Sequence, residues 1–171
     1  MQNITKAKIK DAKELAQLAK NSFLPAHGHS APKEDINNYI LANFDEANFI
    51  TELSDPKNLY YCIYYNNMLA GYSKITLNTP NKNIISENVT YLSRLYLLEE
   101  FYGLDLGKEL FNFNIKFSKK QQQNGIWLAV WVENYRAISF YKKMGFTIVG
   151  SHDYKISETH SNPNHIMYLP F

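Results

Sequence analysis

Apolar residues recur at helical spacing in the first third of the chain and in alternating or continuous runs beyond it. In DAKELAQLAK, Leu15, Ala16, Leu18 and Ala19 share one side of a helix, and Asp11 stands where an N-cap belongs. The preceding NITKAKIK has the character of a strand, so the fold opens strand then helix. A loop, FLPAHGHSA, carries Pro25 and Gly28. Pro32 then starts a second helix in PKEDINNYILANF, with Ile36, Tyr39, Ile40 and Phe44 at helical spacing. DEANFITELSD reads as a third helical segment, broken by Asp55-Pro56.

The pattern then turns to strands. NLYYCIYY and MLAGYSKITLN are joined by Asn66-Asn67, a pair that tolerates the positive φ of a tight hairpin turn. ENVTYLSRLYLL is a further strand, running into FYGLDLGKELF and a helix in which Leu106, Leu110, Phe113 and Phe117 are spaced four, three and four apart. Leu104, Phe111 and Ile115 widen that stripe, and the helix is expected to end near Asn124-Gly125. IWLAVWV is nearly all apolar, as a strand covered on both faces is, so strand, helix and strand form a βαβ crossover with a parallel pair. ENYRAISFYKKMGF is a compact helix with Asn134 at its cap and Gly145 as its stop. FTIVGSHDYKI and NHIMYLPF close the chain as strands. The expected class is α/β (α+β), a mixed and mostly antiparallel sheet of about seven strands flanked by helices.

Composition narrows this to a single domain over residues 1–171. Hydrophobic residues make up 45% and charged residues 20%, without a linker-like tract, which suits an ordinary globular protein. Eighteen Lys and Arg against sixteen Asp and Glu leave a net charge of +2, so no electrostatic footprint for nucleic acid is visible. The N-terminus has no apolar signal core and no stretch reaches the length of a membrane span, so a cytoplasmic monomer or homodimer is expected. The single cysteine, Cys62, lies within a strand-like run and reads as a buried, inert thiol rather than a nucleophile.

Two of the seven glycines, Gly103 and Gly107, enclose Asp105 at a helix entrance directly after a strand. Such a turn is either a tight connection or an anion cradle, because the first turn of a helix offers unpaired N–H groups to a phosphate. His27 and His29 in HGH stand either in a mobile loop or as a base or metal-ligand pair, with no third ligand evident.

RLYLLEEFYGLDLGKELF followed by GIWLAVWVENYRAISFYKKMGF resembles the GNAT superfamily of acetyl-CoA-dependent N-acetyltransferases, over residues 94–146. The second family motif is complete as Asn134, Ala137, Phe140, Tyr141, Gly145 and Phe146. In the first, Tyr102 takes a Gln/Arg place and Asp105 a Gly place, while Gly107 is kept and Gly103 is added. The resemblance implies a central parallel pair that splays to admit acetyl-CoA. It implies a bulged strand acting through the backbone of Leu95, Tyr96 and Leu97, and a pyrophosphate loop of Tyr102, Gly103, Leu104, Asp105, Leu106, Gly107 and Lys108. Further cofactor contacts come from Asn134, Ala137, Tyr141 and Lys143, with Tyr141 as general acid and no metal.

Beyond those motifs, FLPAHGHSAPKEDINNYILANF, ELSDP and the last two strands look like the PaiA-type polyamine N-acetyltransferases. That branch implies a small-molecule amine such as spermidine or spermine. A cationic acceptor asks for carboxylates, and of Glu34, Asp35, Asp45, Glu46, Glu52 and Asp55 the best placed are Glu34 and Asp35, which with the neighbouring His27 and His29 are the substrate-binding candidates. No glutamate lies in VTYLSRLYLL, so deprotonation through water is expected. The alternatives are a protein N-terminal or lysine acetyltransferase, and an acyl-CoA-binding sensor without turnover.

Overall fold

A computed structural model describes residues 2–171. β1 (Gln2–Lys6) is followed by a short 3-10 turn and then by α1 (Ala12–His27), α2 (Lys33–Asn43) and α3 (Glu46–Ser54). β2 (Leu59–Tyr65) and β3 (Met68–Thr76) form a hairpin, and β4 (Thr90–Leu97) leads through a second 3-10 turn to α4 (Leu106–Lys120). β5 (Gly125–Trp131), α5 (Tyr135–Lys143), β6 (Thr147–Lys155) and β7 (Ser161–Pro170) complete the chain. The seven strands lie in the order β1-β2-β3-β4-β5-β7-β6, and every neighbouring pair is antiparallel except β4 and β5.

Strand periodicity explains how one sheet serves two cores. Along β2, Tyr61 and Ile63 face a core with Leu110 and Phe111 of α4, while Tyr60 and Cys62 face a second core with Leu15, Ala19 and Phe23 of α1. Burial there pushes the Cys62 thiol up to about 12, with Asp11 and Glu14 adding to the effect, so it stays protonated and inert. The hairpin turn takes the expected form, with Asn66 at φ 49° and Asn67 at φ 65°.

Several boundaries differ from expectation for identifiable reasons. α1 runs through Pro25 to His27, where a loop was expected. The proline forfeits only one bond in the final turn, and Phe23 stacks on His27 one turn later at 4.8 Å. Asp11 takes the N-cap position, but its carboxylate accepts from the Lys8 N–H, on the preceding side. Leu104 is exposed ahead of α4, and the centre of the helix's buried face is polar. Asn114 bonds Ser73 at 2.8 Å and Ser118 accepts from Thr90 at 2.9 Å, pinning α4 beneath β3 and β4. The helix ends through Gln122 at φ 58°, whereas Gly125 already belongs to β5, where the Tyr168 ring occupies the space of a Cβ.

Candidate active site

β4 and β5 are joined only at Thr90↔Ile126 and Tyr91↔Trp127; beyond these rungs the strands part. The break follows a bulge. Lys74 faces Arg94 and Ile75 faces Leu92, so Ser93 is the extra residue that bends β4 away. The bulge thus lies two residues before Leu95 rather than within residues 95–97. The Leu98 N–H donates to Ala70, so by alternation of the antiparallel ladder Tyr96 also pairs with β3. Leu95 and Leu97 then turn their main-chain groups into the gap. Tyr96 contributes its ring instead, stacked on Tyr72 at 5.9 Å.

Two cavities, about 280 Å³ and 180 Å³, adjoin this part of β4, and both are lined by Leu95, Tyr96, Asn134, Ala137 and Tyr141. The smaller is also lined by Ser22, Ala26, Leu97, Tyr102, Gly107, Arg136 and Phe140. At its edge the α4 N-terminus begins with Asp105, left-handed at φ 58°, after Gly103 at φ 81°. The first bond of the helix runs from the Glu109 N–H to the Asp105 carbonyl, so the N–H groups of Leu106, Gly107 and Lys108 have no helical partner. Asn134 caps α5 by accepting from the Ala137 N–H at 3.2 Å.

Of the expected cofactor residues, Gly103 and Asp105 shape the turn, the Leu106 side chain is buried in the core, and Leu104, Lys108 and Lys143 are exposed side chains outside both linings. Sequence reasoning missed Arg136, which places its guanidinium 3.4 Å from the centre of the Tyr102 ring. The signal was available, because Arg136 lies inside the Asn134-to-Ala137 motif.

The larger cavity is walled by aromatic rings, among them Phe23, Tyr39, Phe44, Tyr91 and Trp131, and Tyr39 meets Tyr154 hydroxyl to hydroxyl at 2.8 Å between α2 and β6. His27 belongs to this wall. His29 does not, although its ring lies 5.2 Å from Trp131. Glu34 is exposed, Asp35 half-buried, and neither reaches the cavity. The acid that turns inward is Glu52 of α3. It accepts from Lys74 at 2.6 Å, from Arg94 at 3.1 Å and from the Tyr60 hydroxyl. Burial alone would raise the Glu52 carboxyl, but Arg94, Lys74 and Tyr60 outweigh it and hold the group below its ordinary value.

Burial, with His29 adding to it, lowers His27 to about 4, so the ring is neutral at pH 7. Unfolded, it takes up a proton near 6.5; between those values the unfolded chain binds more protons, and stability must fall as pH drops. Urea unfolding at pH 7.5 and pH 5 is expected to differ by about 1–2 kcal/mol from this group, and His27→Gln should remove that difference. An unchanged slope in the variant would place the effect elsewhere.

A parallel pair parted beside a helix N-terminus, with Tyr96 and Tyr141 shared by two chambers, is the plan of an acyltransferase that holds its donor between strands. The sequence profile of the acetyltransferase (GNAT) family matches residues 13–146, and the chain belongs to that family, whose acetyl donor is acetyl-CoA. Among its relatives, an uncharacterized N-acetyltransferase from the pepI 3′ region of Lactobacillus delbrueckii subsp. lactis is 24% identical, over 91% of this chain and 90% of its own. An uncharacterized N-acetyltransferase of Mycobacterium tuberculosis is 28% identical, over 89% and 93%. Among solved structures, the PaiA N-acetyltransferase from Thermoplasma acidophilum in complex with coenzyme A has the same fold. Its TM-score is 0.79 at 23% identity, over 100% of this chain and 99% of that one. Among the described residues, no helix is long and apolar enough to cross a membrane.

Proposed function

We propose that the chain acetylates the primary amine of a small molecule by direct attack in a ternary complex, with Tyr141 as general acid. The observation that carries this reading is the meeting of the two chambers at Tyr141. Acetyl-CoA supplies an activated acyl group and a thiol leaving group. The gap and the glycine turn fit it, since free amides line one end and main-chain groups the middle. There Leu106, Gly107 and Lys108 can donate to phosphate oxygens, and the Leu95 and Leu97 amides can donate to a carbonyl. Burial raises the Tyr141 hydroxyl, which keeps its proton through neutral pH and can give it to a departing thiolate. His27, held near 4, is too weak a base for an amine, so deprotonation through water is retained.

The Tyr39–Tyr154 contact roofs the acceptor chamber, which favours a small acceptor over a protein tail. Overall likeness to the PaiA structure is what supports a polyamine. The chamber wall adds no support, because no aspartate or glutamate lines it. Thiol release from acetyl-CoA, measured over polyamines, amino sugars, amino acids and peptides, tests the reading. At least one small amine should release thiol well above the hydrolytic background. Binding of acetyl-CoA without release for every acceptor would make the chain a sensor instead.

A further inference from the structure

Lys74 and Arg94 face each other directly across β3 and β4, and both line the acceptor chamber. Like charges so placed repel unless an anion is shared between them. Glu52 is that anion, yet it stands behind the wall rather than in it. One carboxylate therefore serves two cations, and one positive charge stays uncompensated where each basic side chain is only 16% exposed. Donors also remain. Arg94 gives Nη1 to the Tyr60 hydroxyl at 2.7 Å and Nη2 to Glu52, and Lys74 gives one N–H to Glu52. That leaves at least one guanidinium hydrogen and two of the three on the ammonium group.

A wall of this kind recognises an anion. We propose that the acceptor is a small amine that carries a carboxylate, of the size and form of an aromatic or imidazole amino acid, and that Lys74 and Arg94 bind that carboxylate. The inference rests on the acetyltransferase reading and narrows its substrate class. The carboxylate completes the charge balance that Glu52 leaves short, through charge-assisted hydrogen bonds. The aromatic walls take the side chain, and the amine is left to reach Tyr141. A spermidine cation meets the same uncompensated charge as repulsion, so the wall also selects against polyamines.

Matched acceptors separate the carboxylate from everything else. Thiol release is measured with tyrosine and tyramine, phenylalanine and phenethylamine, histidine and histamine, and spermidine. In at least one pair the acid is expected to exceed its decarboxylated partner in kcat/KM by about tenfold or more. Lys74→Met should cut that advantage to about threefold or less, because KM rises for the acid and does not rise for the decarboxylated amine, which as a cation loses a repulsive neighbour. Lys74 is chosen because Arg94 sits deeper in the network and its loss endangers folding. Decarboxylated amines used equally well, or spermidine preferred, would overturn the proposal.

A second measurement does not need turnover. Trp131 lies in the chamber wall, so its fluorescence can follow titration with N-acetylphenylalanine and N-acetylphenethylamine. The acid should bind about tenfold more tightly, and equal binding would overturn the proposal. If no amine releases thiol, the transferase reading fails, and this titration still decides whether the wall binds a carboxylate.

Discussion

Replacing Tyr141 with phenylalanine is expected to lower kcat by more than about tenfold while acetyl-CoA affinity stays within about twofold. The substitution removes one hydroxyl and keeps the ring, and the ring is what the fold uses. It packs against Phe140 at 5.3 Å, Phe146 at 5.4 Å and, edge on, against Phe111 at 6.5 Å. The residue also lines both chambers, and burial keeps its hydroxyl protonated. A thiolate leaving without that proton must wait for water, a cost confined to the transition state, so kcat and kcat/KM should fall together. Acetyl-CoA dissociation constants and single-turnover rates check this. An unchanged single-turnover rate would make Tyr141 a packing residue.

What could be read from the chain and what could not divide along local and distant causes. The Asn66-Asn67 hairpin and the Asn134 cap follow from residues within a few positions of one another, the parallel pair follows from one continuous strand-helix-strand stretch, and all three stand as expected. The polar centre of α4 was illegible because Asn114 and Ser118 are satisfied by Ser73 and Thr90, which only the fold brings near. Which acid turns toward the larger cavity was illegible for a similar reason. Position beside His27 and His29 singled out Glu34 and Asp35, but α2 keeps both outside the cavity, and the inward acid comes from α3.

A sequence signal for that acid did exist. Arg94 is the one charged residue of β4, and Lys74 the one charged residue of β3. A cation inside a covered strand requires a buried partner. The partner's identity needed the fold, since Glu52 is 42 positions from Arg94.

The same network gives the largest expected effect on stability. Exchanging Glu52 for leucine should lower the unfolding free energy by about 2–4 kcal/mol, the upper part of the range for a broken buried pair being discounted because Glu52 is partly exposed. Removal of the one carboxylate strands Arg94, which lies over Phe44 and Phe49 at 5.4 and 5.6 Å with little water to replace its partner. It also leaves Lys74 and Arg94 opposed across the ladder. If stranded charge is the cause, Glu52→Leu combined with Lys74→Met and Arg94→Met should recover most of the loss, since apolar replacement of a whole buried cluster is often nearly neutral. Acid should act in the same direction as the single variant. The Glu52 carboxyl is held below its ordinary value, so its contribution is complete above the usual carboxylate range and disappears as pH falls through the lowered one. Urea unfolding of the single and triple variants at neutral pH decides the matter. A single-variant loss below about 1 kcal/mol would mean that water solvates Arg94 well enough without Glu52, and a triple variant as unstable as the single would mean that lost packing, not charge, is the cause.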